Sequence, residues 1–163
     1  MILPNNDGEA RVWDSKFLGN IYDQTTVEKP KYGETRVIIA VEKAPVFKKT
    51  EYKTENVIGY LSYGTPLVVL DTVNLTGWHV IVLGKTFLYV SKNHTTTYKT
   101  IEPRVITVKA KKGYLFNIPS EKGEFIGFSV KNTCLIAIGE NNNFWFVQYS
   151  GGKFGFISKT VAN

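Results

Sequence analysis

The chain has 163 residues, of which 43% are hydrophobic and 21% charged, and its formal net charge is +6. This hydrophobic content excludes an intrinsically disordered chain, and the single cysteine excludes an internal disulfide. No apolar run approaches the roughly 20 residues of a membrane-spanning helix. The N-terminus lacks a basic stretch followed by an apolar core, which predicts a protein made in the cytoplasm without a signal peptide and with no membrane insertion.

Residues 1–35 are predicted to form an N-terminal arm or anchor. They contain several large apolar side chains that would be exposed if the arm were frayed, whereas a terminus becomes ordered when it is docked. We therefore expect the arm to pack on the rest of the chain or on a neighbouring molecule. The candidate anchor residues are Trp13, Phe17, Leu18, Ile21 and Tyr22.

Two segments of the chain, residues 36–92 and residues 104–163, resemble each other. Trp78 is followed nine residues later by Phe87, and Trp145 is followed nine residues later by Phe154. Further matched pairs are Arg36-Val37-Ile38 with Arg104-Val105-Ile106, Ile58-Gly59 with Ile126-Gly127, Thr65 with Thr133 and Leu67 with Leu135. A repeat of this length predicts two copies of one small unit, here called the first and second segments, with a linker over residues 93–103.

Short runs rich in β-branched and aromatic residues dominate both segments, and no window keeps helical spacing with good caps. Each segment also holds a polar excursion, over residues 47–56 and 117–124. Five or six short antiparallel strands in about 60 residues are typical of a small barrel, which closes its own edges. The predicted strands cover 37–41, 66–70, 78–82 and 87–90, then 104–108, 135–138, 144–149 and 154–157.

Each segment resembles a bacterial Src-homology-3-type (SH3b) domain. The match lies in the Ile-Gly-aromatic steps that end at Tyr60 and Phe128, in the Trp strands, and in closing hairpins followed by Ser-Lys. A Gly-aromatic-Val pattern is common in the last strand of that family, and the first segment departs from it at Leu88. The resemblance implies an all-β fold with two small SH3-like β-barrels in tandem after the N-terminal arm. Members of the family bind cell-wall peptidoglycan or peptides, or serve as spacers and assembly parts.

Aromatic and basic side chains supply the candidate ligand or interface residues. A Trp on a barrel strand is either core or the rim of a groove, and both interpretations stay open for Trp78 and Trp145. Positive charge in both segments favours anionic partners, but nucleic acid is unlikely because the two segments contain only Arg36 and Arg104 as arginines. The candidates are Trp78, Tyr52, Tyr60, Trp145, Phe128, Lys109, Lys111 and Lys112.

No constellation in the sequence indicates catalysis. Cys134 begins an apolar run and is expected to be a small buried hydrophobe rather than a nucleophile. His79 and His94 have no partner at metal-ligand spacing. We therefore predict no catalytic residues, no metal site and no cofactor.

Two functional hypotheses remain. The first is a structural or interaction protein, an adaptor or decoration unit that docks through its arm into a multi-copy assembly of other proteins, for example a phage virion. The alternative is a binding module for cell-wall polymer, either peptidoglycan or teichoic acid.

Overall fold

The computed structural model describes residues 31–70 and 75–163. The predicted anchor residues Trp13, Phe17, Leu18, Ile21 and Tyr22 lie outside the described residues. Residues 32–163 form one unit, and the account below concerns that unit.

The described residues form strands and short 3₁₀ turns, which confirms the all-β prediction. The turns are Thr54–Asn56, Lys92–His94 and Ser150–Gly152. The strands are β1 (Thr35–Ile39), β2 (Lys43–Phe47), β3 (Val57–Ser62), β4 (Pro66–Leu67), β5 (Trp78–Leu83), β6 (Thr86–Ser91), β7 (Thr95–Thr107), β8 (Lys112–Phe116), β9 (Phe125–Val130), β10 (Cys134–Asn141), β11 (Phe144–Tyr149) and β12 (Lys153–Ser158).

These strands make two antiparallel sheets. The larger has the order β4-β1-β7-β10-β11-β12-β8-β9, and the smaller has the order β3-β2-β6-β5. Within the described residues, β3 ends the smaller sheet and β9 ends the larger one. These two edge strands carry the matched Ile-Gly-aromatic steps.

Several strand predictions need correction. The sequence did not predict β2 or β8, because Pro45 and Gly113 interrupt their β-like patterns. Phe47 was assigned to a polar excursion but ends β2 and is buried. The predicted strand 66–70 shortens to β4, beyond which Val68 is 83% exposed.

The predicted linker, residues 93–103, lies mostly within β7. This long strand pairs with β1 over residues 95–99 and with β10 over residues 99–107. Its register with β10 shifts opposite Ile138, where Arg104 pairs with Ala137 and Thr100 pairs with Gly139. The shift takes up Pro103, which has no N–H to donate to a sheet ladder. One strand therefore continues from the first segment into the second.

Three buried clusters hold this unit together. One lies in the first segment around Ile39, Val46 and Val90, and one lies in the second around Ile106, Trp145 and Val147. The third joins the segments and is called here the joint core. Its buried members are Ile38, Phe144, Phe146 and Phe156, with Tyr98, Phe116, Ile138 and Phe154 packed against them.

Candidate functional site

Matched positions in the two segments carry an exposed aromatic ring beneath a lysine. The Lys43 Nζ lies 5.2 Å from the ring centroid of Tyr60, and the Lys112 Nζ lies 4.9 Å from that of Phe128. Tyr60 is 58% exposed and Phe128 is 47% exposed. Both rings stand on edge strands, β3 and β9, and we call the two surfaces the aromatic faces.

Strand alternation explains why these rings face outward. In β2, Ala44 and Val46 are buried, so Lys43 points the other way and lies across from Ser62, next to Tyr60 on the partner strand. In β8, Gly113 and Leu115 are buried, and Tyr114 pairs with Phe128. As far as residues 31–70 and 75–163 show, both edges thus combine unpaired backbone groups with exposed apolar side chains.

The second aromatic face is larger than the sequence indicated. Tyr114, Phe125 and Val130 are also exposed, and the rings of Tyr114 and Phe125 meet edge to face at 5.5 Å. Tyr114 lies on β8, which was not predicted, and without β8 no partner surface was evident from the sequence for Phe125 and Val130 on β9. The alternation Lys112-Gly113-Tyr114-Leu115 is the signal that could have found them.

Trp78 is 8% exposed and is covered by Tyr52. The two rings stack with centroids 4.5 Å apart, while Phe47 meets Trp78 edge to face at 5.3 Å. The Tyr52 hydroxyl donates to the Ser91 Oγ at 3.0 Å. Tyr52 is therefore the member of this stack that solvent reaches.

Trp145 is also 8% exposed, and cations cover it. Its Nε1 donates to the Ala162 carbonyl at 3.0 Å. The Arg104 guanidinium lies 5.0 Å and the Lys159 Nζ 4.4 Å from the ring centroid. Glu140 accepts a bond from Lys159 at 2.5 Å, so this cluster is largely satisfied internally.

The three clustered lysines do not act as one group. Lys109, Lys111 and Lys112 are all exposed, but Lys112 alone of the three lies over an aromatic ring within the described residues. The lysine that matters for the aromatic face of the first segment, Lys43, was not among the candidates.

A cleft of about 520 Å³ opens where the two segments meet. The first segment lines it with Ala40, Glu42 and Tyr63, and the second adds Tyr149, Phe154 and further polar side chains. The Tyr63 hydroxyl is buried and has no hydrogen-bond partner among the described residues. Burial first, and then the Tyr149 phenol, raise the pKa of Tyr63, so its hydroxyl stays neutral.

Cys134 is exposed, which corrects the expectation of a buried hydrophobe. It opens β10 at an outward position, and Leu135 points into the core instead. Its Sγ lies 3.9 Å from the Thr107 Oγ1. Within residues 31–70 and 75–163, no group of three His, Cys, Asp or Glu side chains has a metal-binding arrangement.

Across the described parts of the chain, no helix is long and apolar enough to cross a bilayer.

Comparison with known proteins gives distant structural similarity only. No family model matches the chain, and no curated protein matches it. The chain is similar to solved structures of NlpC2 and NlpC1 from Trichomonas vaginalis, at 13% identity and a TM-score of 0.36 in both cases. The matches cover 82% and 83% of this chain but 49% and 48% of those chains. This chain thus spans about half the length of these proteins, and a likeness so distant carries no functional argument.

Proposed function

We propose that this chain is a non-enzymatic interaction protein that contacts protein partners in a multi-copy assembly through its two aromatic faces. The observation that carries the proposal is that matched edge strands, β3 and β9, each present an exposed ring beneath a lysine. A feature that recurs on two outer surfaces is not required by either internal core.

Physical chemistry supports contact at these surfaces. Contiguous exposed apolar side chains at a sheet edge commonly mark interaction sites. Unpaired strand edges can also bond to another chain. On β9, Phe128 and Val130 combine both properties within one strand.

The proposal also includes three expectations from the sequence, which concern the fold of each segment, the role of residues 1–35 and the kind of assembly. Each segment acts as an SH3-like barrel, residues 1–35 anchor the chain, and the assembly is a particle such as a phage virion. The joint core supports a single rigid block that presents both aromatic faces together.

Sedimentation velocity on the full chain tests this proposal, with a second copy as the partner. We expect concentration-dependent association that falls in the double variant Tyr60→Ser plus Phe128→Ser. The matched control is Phe87→Ser, which removes a ring that is exposed on another strand pair. Association that is unchanged in the double variant, or equally lost in the control, would contradict the role of the aromatic faces. Deleting residues 1–31, the part of the predicted arm that precedes the unit formed by residues 32–163, tests the anchor separately, and unchanged association would contradict an anchoring role.

Cell-wall binding is the second candidate, and the lysine over each ring favours it because teichoic acid is a polyanion. Co-sedimentation of the full chain with purified cell walls tests this alternative. We expect retention to fall in Lys43→Gln plus Lys112→Gln if teichoic acid is the ligand. No retention of the unaltered chain would exclude the alternative.

A further inference from the structure

The cleft between the segments is built from both of them. Ala40, Glu42 and Tyr63 come from the first segment, whereas Glu124 and Lys153 come from the second. Neither segment alone would form it. Its volume of about 520 Å³ falls in the range of small-molecule sites, about 300–1,000 Å³.

Asn117 fixes the two sides of the cleft relative to each other. Its Nδ2 donates to the Ala40 carbonyl at 2.8 Å, across the two segments. Its Oδ1 accepts from the Glu124 backbone N–H at 2.6 Å. This buried amide therefore links the backbone of Ala40 to the backbone of Glu124, across the two segments.

Tyr63 supplies a polar atom that the described residues leave unused. Its hydroxyl is buried without a hydrogen-bond partner among them, and such a group costs free energy unless something bonds to it. A neutral phenol oxygen can accept a hydrogen bond from a ligand that enters beside the ring.

The charges at the cleft favour a cation. Glu42 and Glu124 are exposed at its rim against one ammonium, Lys153. Neither carboxylate forms an ion pair within residues 31–70 and 75–163. This local excess of acid stands out in a chain whose net charge is +6.

We propose that this cleft binds a small ligand with a single primary ammonium group. The ammonium donates to Glu42, Glu124 and the Tyr63 hydroxyl, and Tyr149 and Phe154 supply ring surface for the cation and the carbon frame beside it. Lys153 repels a second positive charge, so diamines are disfavoured. The ammonium can come from the N-terminus of a peptide or from an amino sugar.

This site is independent of the proposed function, because Tyr60 and Phe128 do not line the cleft. A chain that fails to assemble through its aromatic faces can still bind an amine.

Nuclear magnetic resonance titration of the full chain tests the inference. The probes are alaninamide for a peptide amine and glucosamine for an amino sugar, each compared with its N-acetylated form. We expect saturable shifts of cleft amides, such as those of Gly64 and Gly152, with at least one free amine. The amine that binds more tightly identifies the source, and acetylation should abolish binding.

Amino-acid substitutions provide a second test. Glu42→Gln plus Glu124→Gln should weaken binding by about tenfold or more, the equivalent of losing a charged partner. Tyr63→Phe keeps the ring and should also weaken binding while the fold is retained. The matched control Glu55→Gln changes an exposed carboxylate outside the cleft and should bind as before. Equal binding of the acetylated probes, unchanged binding by the double variant, or no saturable shift at about 50 mM would overturn the inference.

Discussion

Tyr63 combines two roles at the scale of one residue. Its ring forms a wall of the cleft, while its hydroxyl is buried without a partner in the described structure. A buried polar group without a partner weakens the fold, and such groups are found at sites where stability is exchanged for function.

Removal of this hydroxyl should therefore stabilise the protein. We expect Tyr63→Phe to raise the free energy of unfolding by about 1 kcal/mol, because an unsatisfied buried polar group is lost and the ring remains. Urea unfolding followed by tryptophan fluorescence measures the change. The control is Tyr149→Phe, whose hydroxyl donates to the Ile126 carbonyl at 3.5 Å and which should not stabilise. A less stable Tyr63→Phe would show that its hydroxyl is satisfied in solution.

His79 gives the fold a dependence on pH. Burial first, and then the nearby Lys92, lower the pKa of His79 below its usual 6.5. Between the two values the unfolded chain binds more protons than the folded one, so stability rises with pH in this range. The contribution is complete above about pH 6.5 and is lost as the pH falls toward the lower, folded pKa.

We expect unfolding free energy to decrease as the pH is lowered from 7 through 6. His79→Gln should flatten that slope, because it removes the titrating group. Chemical unfolding at a series of pH values measures both proteins. The same slope in the variant would assign the pH dependence to another group.

At this scale the sequence was informative about residue types but not about their exposure. It offered Tyr60 and Phe128 as candidates, and these residues end the Ile-Gly-aromatic steps. It could not place Cys134, because the direction of the first residue of a strand depends on the register of its neighbours. Tyr63 was missed because nothing local distinguishes its hydroxyl from that of any other turn tyrosine.

At the scale of elements, the irregular centre of β10 shapes the join between the segments. The register shifts between Ala137 and Gly139 on both sides of this strand. The Tyr98 ring lies over Gly139 and stacks on Phe146 with centroids 4.3 Å apart. A side chain at position 139 would overlap the Tyr98 ring and crowd the Lys99 carbonyl.

Gly139→Ala should therefore destabilise the protein by about 1–3 kcal/mol, the usual cost of overpacking a core. Thermal unfolding of the variant measures the loss. Gly59→Ala is the control, since a Cβ there meets nothing within 4 Å. If both variants are equally stable, Tyr98 moves aside easily and the stack is not tightly packed.

The turn between the edge strand and its successor shows what the sequence can predict about elements. Gly64 and Asn132 lie at matched positions and have φ angles of 84° and 73°. Glycine and asparagine tolerate this left-handed conformation, so these two residue types are consistent with a turn at both positions. The sequence did not predict strands β2 and β8, because tertiary pairing overrides the weak local strand propensity of Pro45 and Gly113.

At the scale of the whole molecule, the joint core couples the two segments. Phe146 lies 4.8 Å from Phe156 and 5.6 Å from Phe154, measured between ring centroids. Ile38 of the first segment belongs to the same cluster. Strand β11 is buried on both faces, and its run Phe144-Trp145-Phe146-Val147 is the sequence signature of such a strand.

Phe146→Ala should lower the free energy of unfolding by about 3–5 kcal/mol, the usual cost of deleting a buried phenylalanine. It should also reduce hydrogen-exchange protection in both segments, because the joint core supports both. Amide exchange resolved by residue measures this, for example at Val46 and Val147. The control Phe87→Ala truncates an exposed ring and should change stability by less than about 0.5 kcal/mol. Loss of protection confined to the second segment would indicate two independent folding units.

The sequence predicted the all-β class and two related segments, since both depend on local patterns. It did not predict that they share a core, because a strand face such as the one carrying Phe154 and Phe156 has the same local pattern whether it packs within its own segment or against the other segment. The sequence could not predict the cleft for the same reason, since its lining residues lie far apart in the chain, from Ala40 to Lys153.

The continuity of β7 fixes the distance between the two aromatic faces. A flexible linker would let two contact surfaces bind partners at many separations. A strand that is hydrogen-bonded to β1 of the first segment and to β10 of the second keeps the two surfaces at one separation. Under the function proposed above, binding at the second aromatic face is then enhanced only when the partner's own sites repeat at that distance, and any other spacing gains nothing. The protein would therefore distinguish a regular lattice from the same partner molecules free in solution, without a single contact that differs between them.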